Sequence, residues 1–98
     1  MAFIDSYNLE NLVNEAERLV HEELGRQLES YEGKICLCND CVVDMAAMAL
    51  NTVKPLYRYS LLGTLWASSA MDDEAYASSV QEAVSAAIEK VRANPSHD

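Results

Sequence analysis

Apolar residues recur along this chain in three stretches at the spacing of a helical face. In the first, Leu9, Leu12, Val13, Ala16, Leu19, Val20, Leu24 and Leu28 stand three or four apart. Glu10, Glu15, Glu17, Arg18, Glu22, Glu23, Arg26 and Gln27 fill the intervening positions. A stripe of this period predicts a helix from Asn8 to Ser30, with Ser6 or Asn8 as its cap. Gly25 is its weak point, costing about 0.5–1 kcal/mol relative to Ala.

The second stretch is apolar on most sides: Val42, Val43, Ala46, Met48, Ala49, Leu50 and Val53. It predicts a central core helix from about Cys41 to Thr52 or Val53, capped by Asn39 or Asp40. Lys54-Pro55 ends it, because proline disfavours the α conformation in the residue before it. Leu56-Tyr57-Arg58-Tyr59-Ser60 then reads as an extended segment or short strand. Leu61 to Ser68 is ambiguous: Gly63 argues for a turn, while Leu61, Leu62, Leu65 and Trp66 argue for burial. The third stripe is Tyr76, Val80, Ala83, Val84, Ala87, Ile88 and Val91. It predicts a helix opened by Ser69 or Asp72 and running to about Asn94, its acidic start and basic end matching the helix dipole. The expected fold is all-α: one small domain over residues 1–98, three main helices and a Cys-rich knuckle.

Composition narrows the function. With 98 residues, 50% of them hydrophobic, the chain has a modest core, and at this size a metal or partner subunit often adds stability. Sixteen acidic residues against seven basic ones give a net charge of −9. That charge repels nucleic acid and anionic lipid at long range. No stretch approaches the roughly 20 apolar residues that span a bilayer. Met1-Ala2-Phe3-Ile4-Asp5 has neither the basic nor the apolar region of a signal peptide, so the expected location is the cytoplasm.

All three cysteines fall within Cys36-Leu37-Cys38-Asn39-Asp40-Cys41. Thiolates packed as C-x-C-x-x-C suit zinc, and in a reducing compartment metal is favoured over disulfide pairing. The competing reading is three reduced, partly buried thiols. Zinc takes four ligands. Asp44, one turn beyond Cys41, is the first candidate for the fourth, with His97 and His21 behind it. A metal joined to a core helix would be structural.

The densest mixture of cation and aromatic surface is Lys54-Pro55-Leu56-Tyr57-Arg58-Tyr59. Arginine forks bind phosphates or base edges, and aromatic planes stack on bases. The competing reading is an edge strand whose tyrosines pack at a dimer interface. Asn51 is expected to close the second helix, and Trp66, Met45 and Met48 to be packing residues. No Gly-rich phosphate loop, nucleophile elbow or metalloprotease helix is present, and the chain does not read as an enzyme.

Asn11-Leu12-Val13, then Cys36-x-Cys38-x-x-Cys41-x-x-Asp44, Ala49-Leu50-Asn51 and Pro55-Leu56-Tyr57 together resemble the late competence development protein ComFB family. The resemblance runs from roughly Tyr7 to Pro95. Glu22-Glu23-Leu24-x-x-Gln27 and Val91-x-x-Asn94-Pro95 are similar to its cyanobacterial branch, whereas the knuckle is similar to the Bacillus-type branch. The resemblance implies an all-α homodimer with structural zinc and a role as a receptor for cyclic dinucleotides, cyclic di-GMP first and cyclic di-AMP second. Signalling would then pass to an unknown downstream protein. On that reading Arg58 contacts phosphate or base, Tyr57 or Tyr59 stacks, and Lys54 adds charge. Arg26 and Gln27 are secondary candidates. The rival is a zinc-stabilised dimeric interaction module without a small ligand, and a third class is a thiol redox sensor. Arg58 buried against its own tyrosines or an internal carboxylate favours the rival; Arg58 projecting into a pocket at the subunit junction favours the receptor.

Overall fold

The computed structural model describes residues 2–60, 62–63, 65, 69 and 73–95. The ambiguous Leu61 to Ser68 stretch lies largely outside them, as do Trp66, Asp72 and His97.

The first helix begins later than its apolar stripe. Phe3–Ser6 and Leu9–Asn11 form short 3-10 turns, and Val13–Asn14 forms a strand, β1. Helix α1 then spans Glu15–Glu29. Its cap is Asn14, whose side-chain oxygen accepts from the Ala16 N–H at 3.1 Å. The expected caps, Ser6 and Asn8, lie upstream of it. Leu9, Leu12 and Val13 therefore stand exposed, while Ala16, Val20 and Leu24 are buried. The physical reason is that Asn14 is also engaged by the chain's distant half: the same oxygen accepts from the Leu56 N–H at 2.7 Å. That places Val13 and Asn14 in a strand instead of a helical turn.

After α1, Tyr31 to Leu37 is irregular, and Gly33 turns the chain at φ 118°, a conformation that favours glycine. Helix α2 spans Asn39–Leu50. Its cap is Cys38, not Asn39 or Asp40: the Cys38 Sγ accepts from the Cys41 N–H at 3.4 Å. Asn51 closes α2 as expected, though through its backbone N–H, with its side chain exposed. Strand β2, Tyr57–Arg58, pairs antiparallel with β1 in the register Val13 to Arg58 and Asn14 to Tyr57. Helix α3 spans Glu74–Ala93, and its cap is Asp73, not Ser69 or Asp72, because the Asp73 carboxylate accepts from the Ala75 N–H at 3.0 Å.

The three helices share one core. Helix α2 packs along α3, and α1 lies against both. Met45, Leu56, Ile88, Val20, Val84 and Val91 are its largest fully buried side chains. The expected all-α class holds, with a two-residue ribbon as its sheet. Among the described residues, no helix is long and apolar enough to cross a membrane.

Candidate functional site

The knuckle brings the three cysteines together. Their sulfurs lie within 4.8 Å of one another, a donor set that could hold a metal ion. Cys41 is buried and Cys36 and Cys38 are half-buried, all three as thiols. The sharp turn at Gly33 and the start of α2 at Asn39 set this geometry. Hydrogen bonding from the Cys38 backbone, and then from its side chain, holds the Cys36 thiol below its ordinary pKa. Soft sulfur donors of this kind suit zinc and other thiophilic metals.

Of the candidates for a fourth ligand, Asp44 is half-buried on α2 but stands outside the thiol group. His21 is exposed on α1 and lines a different cavity. Beside the thiols lies a cavity of about 250 Å³, bounded by Cys36 and Cys41, by Lys34 and Ile35 of the loop, by Met45, and by Val91, Arg92 and Pro95 at the end of α3. Arg92 is held by Glu89 at 2.9 Å, and Glu89 also accepts from the Tyr31 hydroxyl at 3.0 Å. Lys34 and Arg92 flanking the sulfurs is a feature that sequence reasoning missed. They are 58 positions apart, and only the return of α3 brings them to one cavity.

The second candidate surface surrounds Arg58. Leu56, wholly buried, anchors the strand, and the Tyr76 hydroxyl donates to the Lys54 carbonyl at 2.7 Å. Between these tethers and the ribbon, Arg58 is turned toward the start of α1. Its Nε donates to Glu15 Oε1 at 2.5 Å. Arg18 reaches the same carboxylate at 3.2 Å and Glu22 at 2.9 Å. The hydrogen bond from Arg58, ahead of those from Arg18, holds the Glu15 carboxyl below its ordinary pKa despite the opposing effect of desolvation. Arg58 itself is one-third exposed (33%) and lines a cavity of about 560 Å³ with Asn14, Glu15, Glu17, Arg18, His21 and Glu22. Tyr57 and Tyr59, on either side, are 54% and 71% exposed.

The other sequence candidates go elsewhere. Lys54 is exposed and does not line the Arg58 cavity. Arg26 is bound to Glu23 and lines a neighbouring groove with Leu19, Tyr76 and Val80. Gln27 fastens α1 to α3, donating to the Gln81 carbonyl at 3.1 Å and accepting from Ser85 at 3.0 Å. Glu15, Arg18 and His21 join the site instead. Their spacing of three residues along α1 was the signal available for them.

Phe3, Ile4, Tyr7, Leu9 and Leu12 are all strongly exposed along the N-terminal arm. Tyr7, Leu9 and Leu12 enclose a further cavity of about 400 Å³ with Tyr59.

The family model described as late competence development protein ComFB matches residues 13–95. Among solved structures, the late competence protein ComFB from Bacillus subtilis is similar, with a TM-score of 0.66 and 25% identity, over 87% of this chain and 94% of that one. No curated protein matches the chain.

Proposed function

The chain belongs to the late competence development protein ComFB family, and from that premise we propose that it is a small zinc-stapled receptor for a cyclic dinucleotide, cyclic di-GMP first. The observation that carries the reading is Arg58, which lines a cavity of about 560 Å³ while its chain neighbours Tyr57 and Tyr59 stand exposed outside that lining. That volume falls within the range of small-ligand sites, roughly 300–1,000 Å³. Guanine offers acceptors that match an arginine fork, and its N1–H and amino group can donate to a carboxylate. Arg58 and Arg18 beside Glu15, Glu17 and Glu22 supply both kinds of partner. Adenine donates through its 6-amino group but has an acceptor at N1 and no 2-amino group, so it cannot give a glutamate the paired donors that guanine offers, which is why we put guanine first. Tyr57 and Tyr59 lie outside the cavity's lining, and in this reading their exposed rings stack on a base that extends beyond it. In this reading the protein binds and does not catalyse.

In the same reading the cysteines hold zinc, and the exposed arm covers itself against a second copy of the chain. The radius of gyration, 15.7 Å, exceeds the roughly 13 Å of a compact domain of about 100 residues. A surface that leaves Phe3, Ile4 and Tyr7 in water is better hidden in a dimer. Ligand bound near such an interface would favour one dimer geometry to the extent of its differential affinity, and so bias a downstream partner.

One observation favours a second reading, an interaction module without a small ligand. Arg58 is already held by an internal carboxylate, and the cavity carries three glutamates that oppose phosphate. Calorimetric titration of the zinc-loaded protein with cyclic di-GMP and with cyclic di-AMP separates the two. The receptor reading expects saturable binding at micromolar or tighter affinity, lost in Arg58→Ala and weakened in Tyr59→Ala, whose side chain is too exposed to affect folding. Silence with both nucleotides in the folded, metal-loaded protein leaves the interaction module.

A further inference from the structure

We propose that the metal at the knuckle keeps one coordination position for a ligand from outside the chain, and that Lys34 and Arg92 select a small anionic thiol for it. The inference rests on the metal reading above and goes beyond a purely structural staple. Closed structural zinc sites take four ligands from the protein, whereas sites with three protein ligands leave a position for an exogenous group. Among the described residues the thiol group has three members, and Asp44 is not one of them.

The surroundings of the sulfurs fit an incoming ligand. Cys36 and Cys41 form part of the wall of the cavity of about 250 Å³, so a metal bridging them would border that space. Met45, Val91 and Ile35 give the cavity an apolar lining suited to a short carbon chain. Lys34 and Arg92 are two of only seven basic residues in a chain of net charge −9, yet both line this one cavity. A divalent metal with three thiolates carries one net negative charge, which by itself opposes an anion. Lys34 and Arg92, the latter shared with Glu89, offset that charge and supply partners for a carboxylate. A thiol would bind as the thiolate, its proton passing to solvent, and would complete the soft donor set that zinc favours.

The test uses the full chain loaded with cobalt(II), whose visible ligand-field bands report its coordination. Mercaptoacetate and cysteamine are thiols of similar size and opposite charge. Mercaptoacetate should shift the bands saturably, with the metal still protein-bound after gel filtration, and at several-fold lower concentration than cysteamine. That preference should fall toward parity in Lys34→Ala and in Arg92→Ala. Bands indifferent to mercaptoacetate in the parent, or removal of the metal by it, overturn the proposal. So does a response that appears only in His97→Ala, which would mean that the chain closes the site itself. A preference unchanged in both variants overturns the role of the two cations. If cobalt(II) gives no thiolate-coordinated spectrum at all, the metal reading itself has failed, which is a different result from an unresponsive loaded site.

Discussion

The Asn14 side chain accepts through one oxygen from two backbone N–H groups, that of Ala16 at 3.1 Å and that of Leu56 at 2.7 Å. It is at once the cap of α1 and the clasp that holds the β2 segment to the start of that helix. Asn14→Ala should remove both roles. A lost cap costs about 1 kcal/mol and an orphaned N–H beside it about 1–3 kcal/mol. Urea unfolding should show a deficit near the sum, and Asn14→Asp should recover most of it.

Arg58 and Glu15 set a pH dependence. The Glu15 carboxyl sits below its ordinary pKa because Arg58 donates to its ionised form. A depressed folded value means that the stabilisation is complete above the unfolded pKa, about 4.3. It is then lost as pH falls through the lower folded value. The pair is partly solvated, so its worth should be about 0.2–1 kcal/mol. Glu15→Gln should lower the melting temperature slightly at pH 7, and the difference from the parent should vanish in acid. A gap that persists at low pH would assign the effect to packing.

Cys38 caps α2 and also belongs to the thiol group that could hold a metal, and the two roles are separable. Both Cys38→Ser and Cys38→Ala should lose metal affinity. In the metal-free protein, serine keeps a capping oxygen while alanine does not, so the alanine variant should be less stable by about 1 kcal/mol. Thermal melts with and without chelator give the four values needed.

Metal removal should act on the core. Cys41 is 1% exposed and belongs to the same buried cluster as Met45 and Val91. Binding energy at such a site is also folding energy. Chelation should therefore lower the melting temperature of the parent, and should leave a Cys36→Ser/Cys41→Ser variant unchanged.

What could be read from the sequence followed the range of the forces involved. Helix α3 was legible because its stripe from Tyr76 to Val91 is periodic and its ends carry ordinary signals. The start of α1 was not, because Leu9 and Leu12 continue the helical period by coincidence while their side chains stay in water. Asn14 followed by Glu17 was a capping signature that could have corrected it. The thiol cap of α2 had no such signature, since sulfur is not a usual capping atom. The knuckle was legible as a donor cluster because its cysteines are sequence neighbours. Arg58 stood out in the sequence as a cation between aromatics, but its partner did not: Glu15 lies 43 positions away, and only the ribbon brings the two together. Lys34 and Arg92 joined the thiols for the same long-range reason.

The clasp at Asn14 also bears on how the protein emerges during synthesis. The sequence of α1 is complete long before Leu56 is made, so a nascent chain can form the helix but cannot yet seat its first turn against a strand. Only when the second half of the chain arrives does the shared oxygen acquire both of its donors. The N-terminal arm, with Phe3, Ile4 and Tyr7 exposed even in the finished fold, has no ribbon to direct it until then.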